Sequence, residues 1–554
     1  MGGKELMRCG SSQFGKAASA VLGTLTVFLL ASTTSAQPGI TIPSSSLPAV
    51  SVTSERKFNE TSLNPVSTPA GAFASPTGSA TTPNSLSHAS ETAPLELPSA
   101  PAVTTGLLQG NAACRSPPDK GKKADEEITF RSYWDHGLYF TVPDKQFLIH
   151  FGGTLQYDSA WFTAQPSLTR FPGGTGMFED GTTPRRIRFR ADGTVYDDLE
   201  FFIEIEFING FTAGSRAGMV TRDVDVPTIP SLTDGYLIHK NLPFLGNVKI
   251  GNQKEPFSLE HLDSDRFLPF MERSFLFDLT YVSEFNNGYS PGISVFRTWA
   301  DDRLFTHAGL FKNLPDPFGF GLGDGEYAVT GRVGLLPLWQ EAGEVYWYFG
   351  GAMSHRDPVD NLVTARIRNL IRNAPGPLLN VIATTGAIPA NRNILFNLDT
   401  AYARGPLTII GEMQSNQLHN ATTANNVPQG TINYTGFYIS TLYFLTGEHR
   451  SWNRRTYTFN RVIPNHHFRL DKNSPWHLAG LGAWELGARY SYLDLNDTLI
   501  RGGRLQAVTL GLNWYLNPIT KMQFNYDWTY VDQAANPLAK GIVHSFGTRI
   551  NFEF

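Results

Sequence analysis

Ile542-Val543-His544-Ser545-Phe546-Gly547-Thr548-Arg549-Ile550-Asn551-Phe552-Glu553-Phe554 closes the chain, and its reading decides the fold. Alternate positions put Ile542, Phe546, Ile550, Phe552 and Phe554 on one face. Ser545, Gly547, Arg549, Asn551 and Glu553 take the other. A period of two with one greasy and one wet face marks a half-buried strand. Free termini ordinarily fray into water, so a terminal strand ending on phenylalanine raises the question of what its greasy face meets. Either a protein core or lipid would satisfy it.

The same pattern recurs upstream. Gln506, Val508, Leu510, Leu512, Trp514 and Leu516 alternate with Leu505, Ala507, Thr509, Gly511 and Asn513. After the turn Asn517-Pro518-Ile519-Thr520, Met522, Phe524, Tyr526, Trp528 and Tyr530 alternate with Lys521, Gln523, Asn525, Asp527 and Thr529. Lys521 and Asp527 need water or a partner, so that face should line a lumen. Trp484 to Tyr492, Ile394 to Tyr402 and Ile149 to Tyr157 repeat the alternation. Tight turns such as Asp197-Asp198 and Arg404-Gly405-Pro406 separate some strands, and longer polar segments, Leu362–Asn391 and Leu418–Gln429, separate others. Short turns at one end and long loops at the other are the asymmetry of outer-membrane barrels. The predicted fold is all-β: a transmembrane antiparallel barrel over 128–554, with room for about 16 strands of around 10 residues plus loops.

The front of the chain reads as an export leader. Lys4, Arg8 and Lys16 precede an apolar run from Ala17 to Ala31, and Thr34-Ser35-Ala36 supplies a small-residue cleavage site, which predicts a signal peptide over 1–36. No later run approaches the roughly 18 apolar residues a spanning helix needs, so a membrane crossing requires a closed barrel. Residues 37–127 are rich in Pro, Ser, Thr and Ala without a persistent period. Such composition cannot offset chain entropy, and a disordered periplasmic arm is expected there. Of the two cysteines only Cys114 lies beyond the leader, so no intrachain disulfide is expected in the mature chain. The net charge of -4 argues against nucleic acid as a partner.

Three segments resemble the phosphate-selective porins of the O/P type. They are Arg185-Arg186-Ile187-Arg188-Phe189-Arg190 with Gly193 to Asp198; Lys249 to Glu260 continuing to Phe270-Met271-Glu272-Arg273-Ser274; and Trp484 to Asp497 with Thr509 to Pro518. The likeness covers most of residues 130–554. It implies a 16-stranded, trimeric channel in the bacterial outer membrane, with a loop folded inward to narrow the pore and anion or phosphate transport in relatives.

Selectivity must be argued from this chain's own residues. Arg186, Arg188 and Arg190 share a face opposite Ile187 and Phe189. Facing lipid they would cost about 2–4 kcal/mol each near the midplane, so they are predicted to line the pore, together with Lys249. A guanidinium fork grips phosphate bidentately, and a ladder of them suits a hopping anion. Phe201, Ile203, Ile205 and Phe207 on the next strand turn Glu204 and Glu206 inward, and the Asp197-Asp198 turn is expected to bring Arg190 beside Glu206. Such pairs neutralise the ladder. Residues 1–127 hold nine charges of each sign, which leaves 36 basic and 40 acidic residues in the barrel, whereas an anion-collecting field prefers a basic excess. A diffusion pore for small polar solutes and ions therefore fits better than a phosphate filter. Lys254–Ser274 is the candidate constriction loop, with Lys254, Arg266 and Arg273 against Glu255, Glu260, Asp263, Asp265 and Glu272 as its charges and Phe257, Phe267, Leu268 and Phe270 to pin it.

His466, His467 and His477 lack the spacing of a zinc motif, and no GxSxG elbow or phosphate-cradling glycine loop stands out. Neither enzyme, cofactor nor metal is expected. Expected partners are outer-membrane lipid, the barrel-insertion machinery through Phe554, two further copies of the chain, and small polar solutes or inorganic anions. The alternative is an envelope structural barrel whose arm tethers the outer membrane, with little transport.

Overall fold

Period-two segments can satisfy their backbone only by pairing sideways, and here they pair into a ring. The computed structural model describes residues 130–142, 146–169, 178–208, 230–281, 288–313, 325–372, 381–471, 478–533 and 539–554. The expected leader (1–36) and arm (37–127) lie outside them. The strands are β1 (Phe147–Ala164), β2 (Gly181–Val195), β3 (Leu199–Glu206), β4 (Ser231–Leu242), β5 (Gly246–Lys254), β6 (Tyr289–Trp299), β7 (Leu304–Lys312) and β8 (Tyr327–Gln340). There follow β9 (Val345–Arg356), β10 (Arg392–Arg404), β11 (Leu407–Thr422), β12 (Pro428–Phe444), β13 (Ala483–Asp497), β14 (Ile500–Asn517), β15 (Thr520–Asp532) and β16 (Lys540–Glu553). Each is antiparallel to the next, and β16 returns to β1 from Val543↔Ala164 to Glu553↔Thr154. The sixteen-strand antiparallel barrel expected from the alternation is thus closed, which removes the sheet edges that lipid would not tolerate.

The two faces sort by polarity. Leu155, Leu398, Ile439, Leu510 and Ile550 are exposed on the outside, while Gln253, Asn397, Asn513, Asp527 and Arg549 are buried inside. The outer face meets lipid.

One end carries tight turns: Tyr196–Asp198 between β2 and β3, Gly405-Pro406 between β10 and β11, and Pro518-Ile519 between β14 and β15. In outer-membrane barrels this is the periplasmic end. Two loop expectations need correction. Leu418–Gln429 is not a long loop: β11 continues to Thr422 and β12 starts at Pro428, with irregular pairing over Ala421 and Thr422. A strand outside the hydrocarbon layer needs no apolar outward face, and here His419 and Thr431 stand outside while Leu418, Ala421 and Ile432 are buried inside, so the polar outward positions hid it. Conversely, the turn-end connection between Phe444 and Ala483 is long, and it folds back into the barrel.

A short hairpin, Arg131–Trp134 with Leu138–Val142, joins the wall beside β1, from Leu138↔Phe151 to Val142↔Phe147. β1 therefore pairs with β16 over one part of its length and with the hairpin over the rest.

Candidate functional site

Bulges and loops, more than alternation, build the charged lumen. At Gln156/Tyr157 the β1–β2 register shifts. This bulge turns Arg185 inward beside Arg186, as bulges re-aim side chains. Strict alternation would have sent Arg185 into lipid, so sequence reasoning missed it. Arg185 donates to Glu272 through Nε (2.7 Å) and Nη2 (3.0 Å). Arg186 donates to Gln156 (2.7 Å) and pairs with Asp265 at 2.8 Å. Arg188 meets three carboxylates: Glu204 at 3.1 Å, Glu206 at 2.8 Å and Asp265 at 2.9 Å. Arg190 lies 3.5 Å from Asp192.

The expected Arg190–Glu206 neighbourhood is wrong by one step along the ladder. Val195 pairs with Leu199 across a three-residue turn, which sets Arg188 opposite Glu206 and Arg190 opposite Glu204. A turn centred one residue later would be needed for the other pairing.

The segment after β5 runs inside the barrel. Lys254 is the last residue of β5, and the inward segment continues past Ser274 through a short helix, Phe275–Tyr281. Its bounds are therefore wider at the C-terminal end than Lys254–Ser274. A chain crossing a lumen must satisfy its carbonyls there, and wall side chains do this. Lys521 donates to the carbonyls of Arg266 (3.1 Å) and Leu268 (3.0 Å), Asn513 to that of Pro269 (2.8 Å), and Arg549 to that of Met271. Lys254 donates to the carbonyls of His261, Leu262 and Asp263.

Ion pairs fix the segment laterally. Glu255 takes a bidentate grip from Arg356 (2.8 and 3.0 Å). Glu260 accepts from Arg489 at 3.2 Å, and Arg273 donates to the carbonyls of Glu260 (2.7 Å) and Asp263 (2.9 Å). Arg266 pairs with Glu204 at 3.2 Å. Phe257, Leu268 and Phe270 are buried, whereas Phe267 is half-buried and faces a cavity. Phe270 packs where Gly487 and Gly511 leave room; a Cβ at either would come within 3.1 Å of its ring.

Two further inward pieces went unread in the sequence. From the loop end, Arg368 and Arg372 both grip Asp278, at 2.5 and 2.9 Å. From the turn end, Arg450 binds Glu485 bidentately (2.8 and 2.7 Å), Trp452 packs on Tyr346 and Tyr348, and Tyr457 stacks on Phe305 at 4.9 Å. The Phe459 amide donates to Asp263 at 2.8 Å, joining this piece to the segment after β5. A connection that long at the turn end, with the run Trp452 to Tyr457, was the available signal.

A cavity of about 640 Å³ remains beside these pieces. Arg188, Glu204, Lys249, Lys254, Asp265 and Arg266 are among its lining residues. Lys249 lies over the Tyr236 ring at 4.6 Å. Within the loop segment, the two aspartates differ. Burial alone would raise both carboxyls, but Arg188 and Arg186 hold Asp265 well below the ordinary carboxylate range. Burial wins at Asp263, pushing it up to about 7 despite the Phe459 amide. Among the described residues no group of three or more His, Cys, Asp or Glu is placed to hold a metal. His466 and His467 are exposed, and His477 lies outside the described residues.

A closed barrel with an apolar exterior and a charged interior is an outer-membrane channel of the porin class. The chain belongs to the phosphate-selective porin O and P family, whose model matches residues 170–554. Porin O of Pseudomonas aeruginosa is 24% identical over 452 residues, 76% of this chain and 91% of its own. An uncharacterized protein of Caulobacter vibrioides is 26% identical over 471 residues, 82% of each chain. Among solved structures, the outer membrane channel DcaP of Acinetobacter baumannii is similar with a TM-score of 0.43 at 10% identity, over 74% of this chain and 97% of its own. OmpF of Salmonella typhi, in complex with daunomycin, gives 0.42 at 10% identity over 74% and 99%. The family and fold are those of channels in the bacterial outer membrane.

Proposed function

We propose that this porin is a diffusion pore for small polar solutes and ions, without a tight phosphate filter. One observation carries the reading: the guanidinium of Arg188 is already shared among Glu204, Glu206 and Asp265. An anion entering there must compete with fixed carboxylates for the same donors, and Arg186 and Arg266 are engaged in the same network. The pore-lining residues in this reading are Arg186, Arg188, Arg190, Glu204, Glu206 and Lys249. The constriction is formed by the inward segment, with Lys254, Glu255, Asp263, Asp265, Arg266 and Arg273 setting its local field.

The test is the reversal potential of single channels under a KCl gradient, followed by titration with phosphate. Weak ion preference and little phosphate block of the chloride current are expected. Strong block at low phosphate concentration would overturn the reading. Assembly as a homotrimer, delivery to the insertion machinery through Phe554, removal of residues 1–36 and a disordered arm over 37–127 complete the proposal, on sequence pattern and family resemblance.

A further inference from the structure

The last wall strand stops short, and something else covers what it leaves. At its end the Gly153 amide donates to the Phe554 carbonyl (2.7 Å) and the Phe554 amide to the Gly153 carbonyl (3.1 Å). Residues Phe147–Gly152 of β1 would then present unpaired amides and carbonyls on the closing edge, a costly arrangement at a membrane boundary. Leu138–Val142 occupies that place: Leu138 pairs with Phe151, two residues beyond the Gly153–Phe554 pair.

Hairpin side chains sort as the barrel's do. Directly opposed residues share a face, so Trp134, Leu138 and Phe140 lie with Phe151 and Ile149, the outward side of β1. Phe140 and Phe151 meet edge to face at 6.1 Å, and Phe151 stacks on Phe189 at 6.1 Å. Trp134 is 60% exposed and Leu138 39%. The other face turns inward: Tyr133 stacks on Tyr139, Tyr139 on His150 at 4.3 Å, and His150 contacts Asp192 at 2.9 Å. Gly137, in the tight turn, leaves room for that histidine, since a Cβ there would meet His150 Nε2 at 2.0 Å.

We propose that this hairpin is a lipid-contacting patch completing the barrel seam, with Trp134, Leu138 and Phe140 at the headgroup boundary of the periplasmic leaflet. The occupant is identified by continuity: the patch prolongs, in register, the lipid face that runs through Leu155 and Tyr157. Its chemistry fits, because tryptophan and other aromatics collect where hydrocarbon gives way to headgroups. The inward tyrosine face is held by ring stacking onto His150, while Trp134 and Leu138 stand exposed on the outward face.

Nitroxide labels on single cysteines test this in the full-length channel reconstituted in lipid vesicles, in a Cys9→Ser, Cys114→Ser background. Labels at Trp134→Cys and Leu138→Cys should relax with dissolved oxygen as Leu155→Cys does on the lipid face. They should be shielded from a water-soluble nickel complex that reaches Asp301→Cys in a turn. Tyr133→Cys should show the opposite preference. Nickel access at 134 and 138 equal to that at 301 would place the hairpin in water and overturn the proposal. Exclusion of both reagents would overturn it in favour of a protein partner or a second copy.

Discussion

Replacing Asp265 by asparagine isolates the charge that keeps the arginine wall from acting as an anion site. The amide keeps nearly the same shape and one acceptor oxygen for Arg186 (2.8 Å) or Arg188 (2.9 Å), so the segment should stay seated while one negative charge leaves the cavity wall. A sphere of 640 Å³ has a radius of about 5 Å, and across that distance a unit charge acts on an ion with about 0.8 kcal/mol at water's permittivity. Screening at 0.1 M salt, with a Debye length of about 10 Å, reduces this to about 0.5 kcal/mol. Anions gain what cations lose, so the difference is about 1 kcal/mol, or roughly a fivefold change in relative permeability toward chloride. A less water-like permittivity of about 20 would make the change larger. Bilayer recordings under a KCl gradient read it directly, with heat-modified gel mobility confirming an intact barrel. An unchanged reversal potential from a folded Asp265→Asn channel would refute the claim that this carboxylate shapes the ion path.

Arg188→Ala should move selectivity the other way, toward potassium, because Glu204, Glu206 and Asp265 lose a shared partner; breaking such a buried network costs about 3–5 kcal/mol, read as a lower unfolding temperature in detergent. An unaltered ion preference would remove Arg188 from the pore account. Phe270→Ala should loosen the inward segment by about 3–5 kcal/mol of lost packing, seen as noisier or larger single-channel conductance, and a quiet wild-type-like trace would contradict its role as an anchor. Asp263 predicts a pH dependence. Its folded-state value of about 7 lies above the unfolded value of about 3.9, so its contribution is fully present below about pH 4 and is lost as pH rises through 7. Cleavage by trypsin after Arg455, in the piece held to Asp263 through Phe459, should therefore increase from pH 6 to pH 8. Asp263→Asn should flatten that change, and a retained increase would assign it elsewhere.

The barrel was legible because lipid and water impose opposite demands on alternate residues. The β14–β15 hairpin shows this in full: the residues with Val508 and Tyr526 face out, and those with Thr509 and Asp527 face in. Legibility failed where that demand lapses. The ends of β11 and β12 reverse the usual sorting, with His419 and Thr431 outside and Leu418, Ala421 and Ile432 buried inside, so no lipid face betrays them. Arg185 sits on a bulge, which breaks the count by one. The Arg188–Glu206 register depended on the length of a turn, and an error of one residue changed the partner. The turn-end piece carrying Trp452 and Tyr457 followed no strand period, because its contacts come from distant walls.

From the amino-acid order alone came the membrane-barrel class, the lipid-facing side of strands such as β14, β15 and β16, and the inward direction of Arg186, Arg188, Glu204 and Glu206. Those are local consequences of a two-residue repeat set against two solvents. Which charges neutralise one another was decided only in three dimensions. Asp265 reaches Arg186 and Arg188, Glu272 reaches Arg185 and Arg549, and Phe459 reaches Asp263, each across long stretches of chain. The physical reason is that ion pairing depends on distances of a few ångströms, and only closure of the barrel around its inward segments sets those distances.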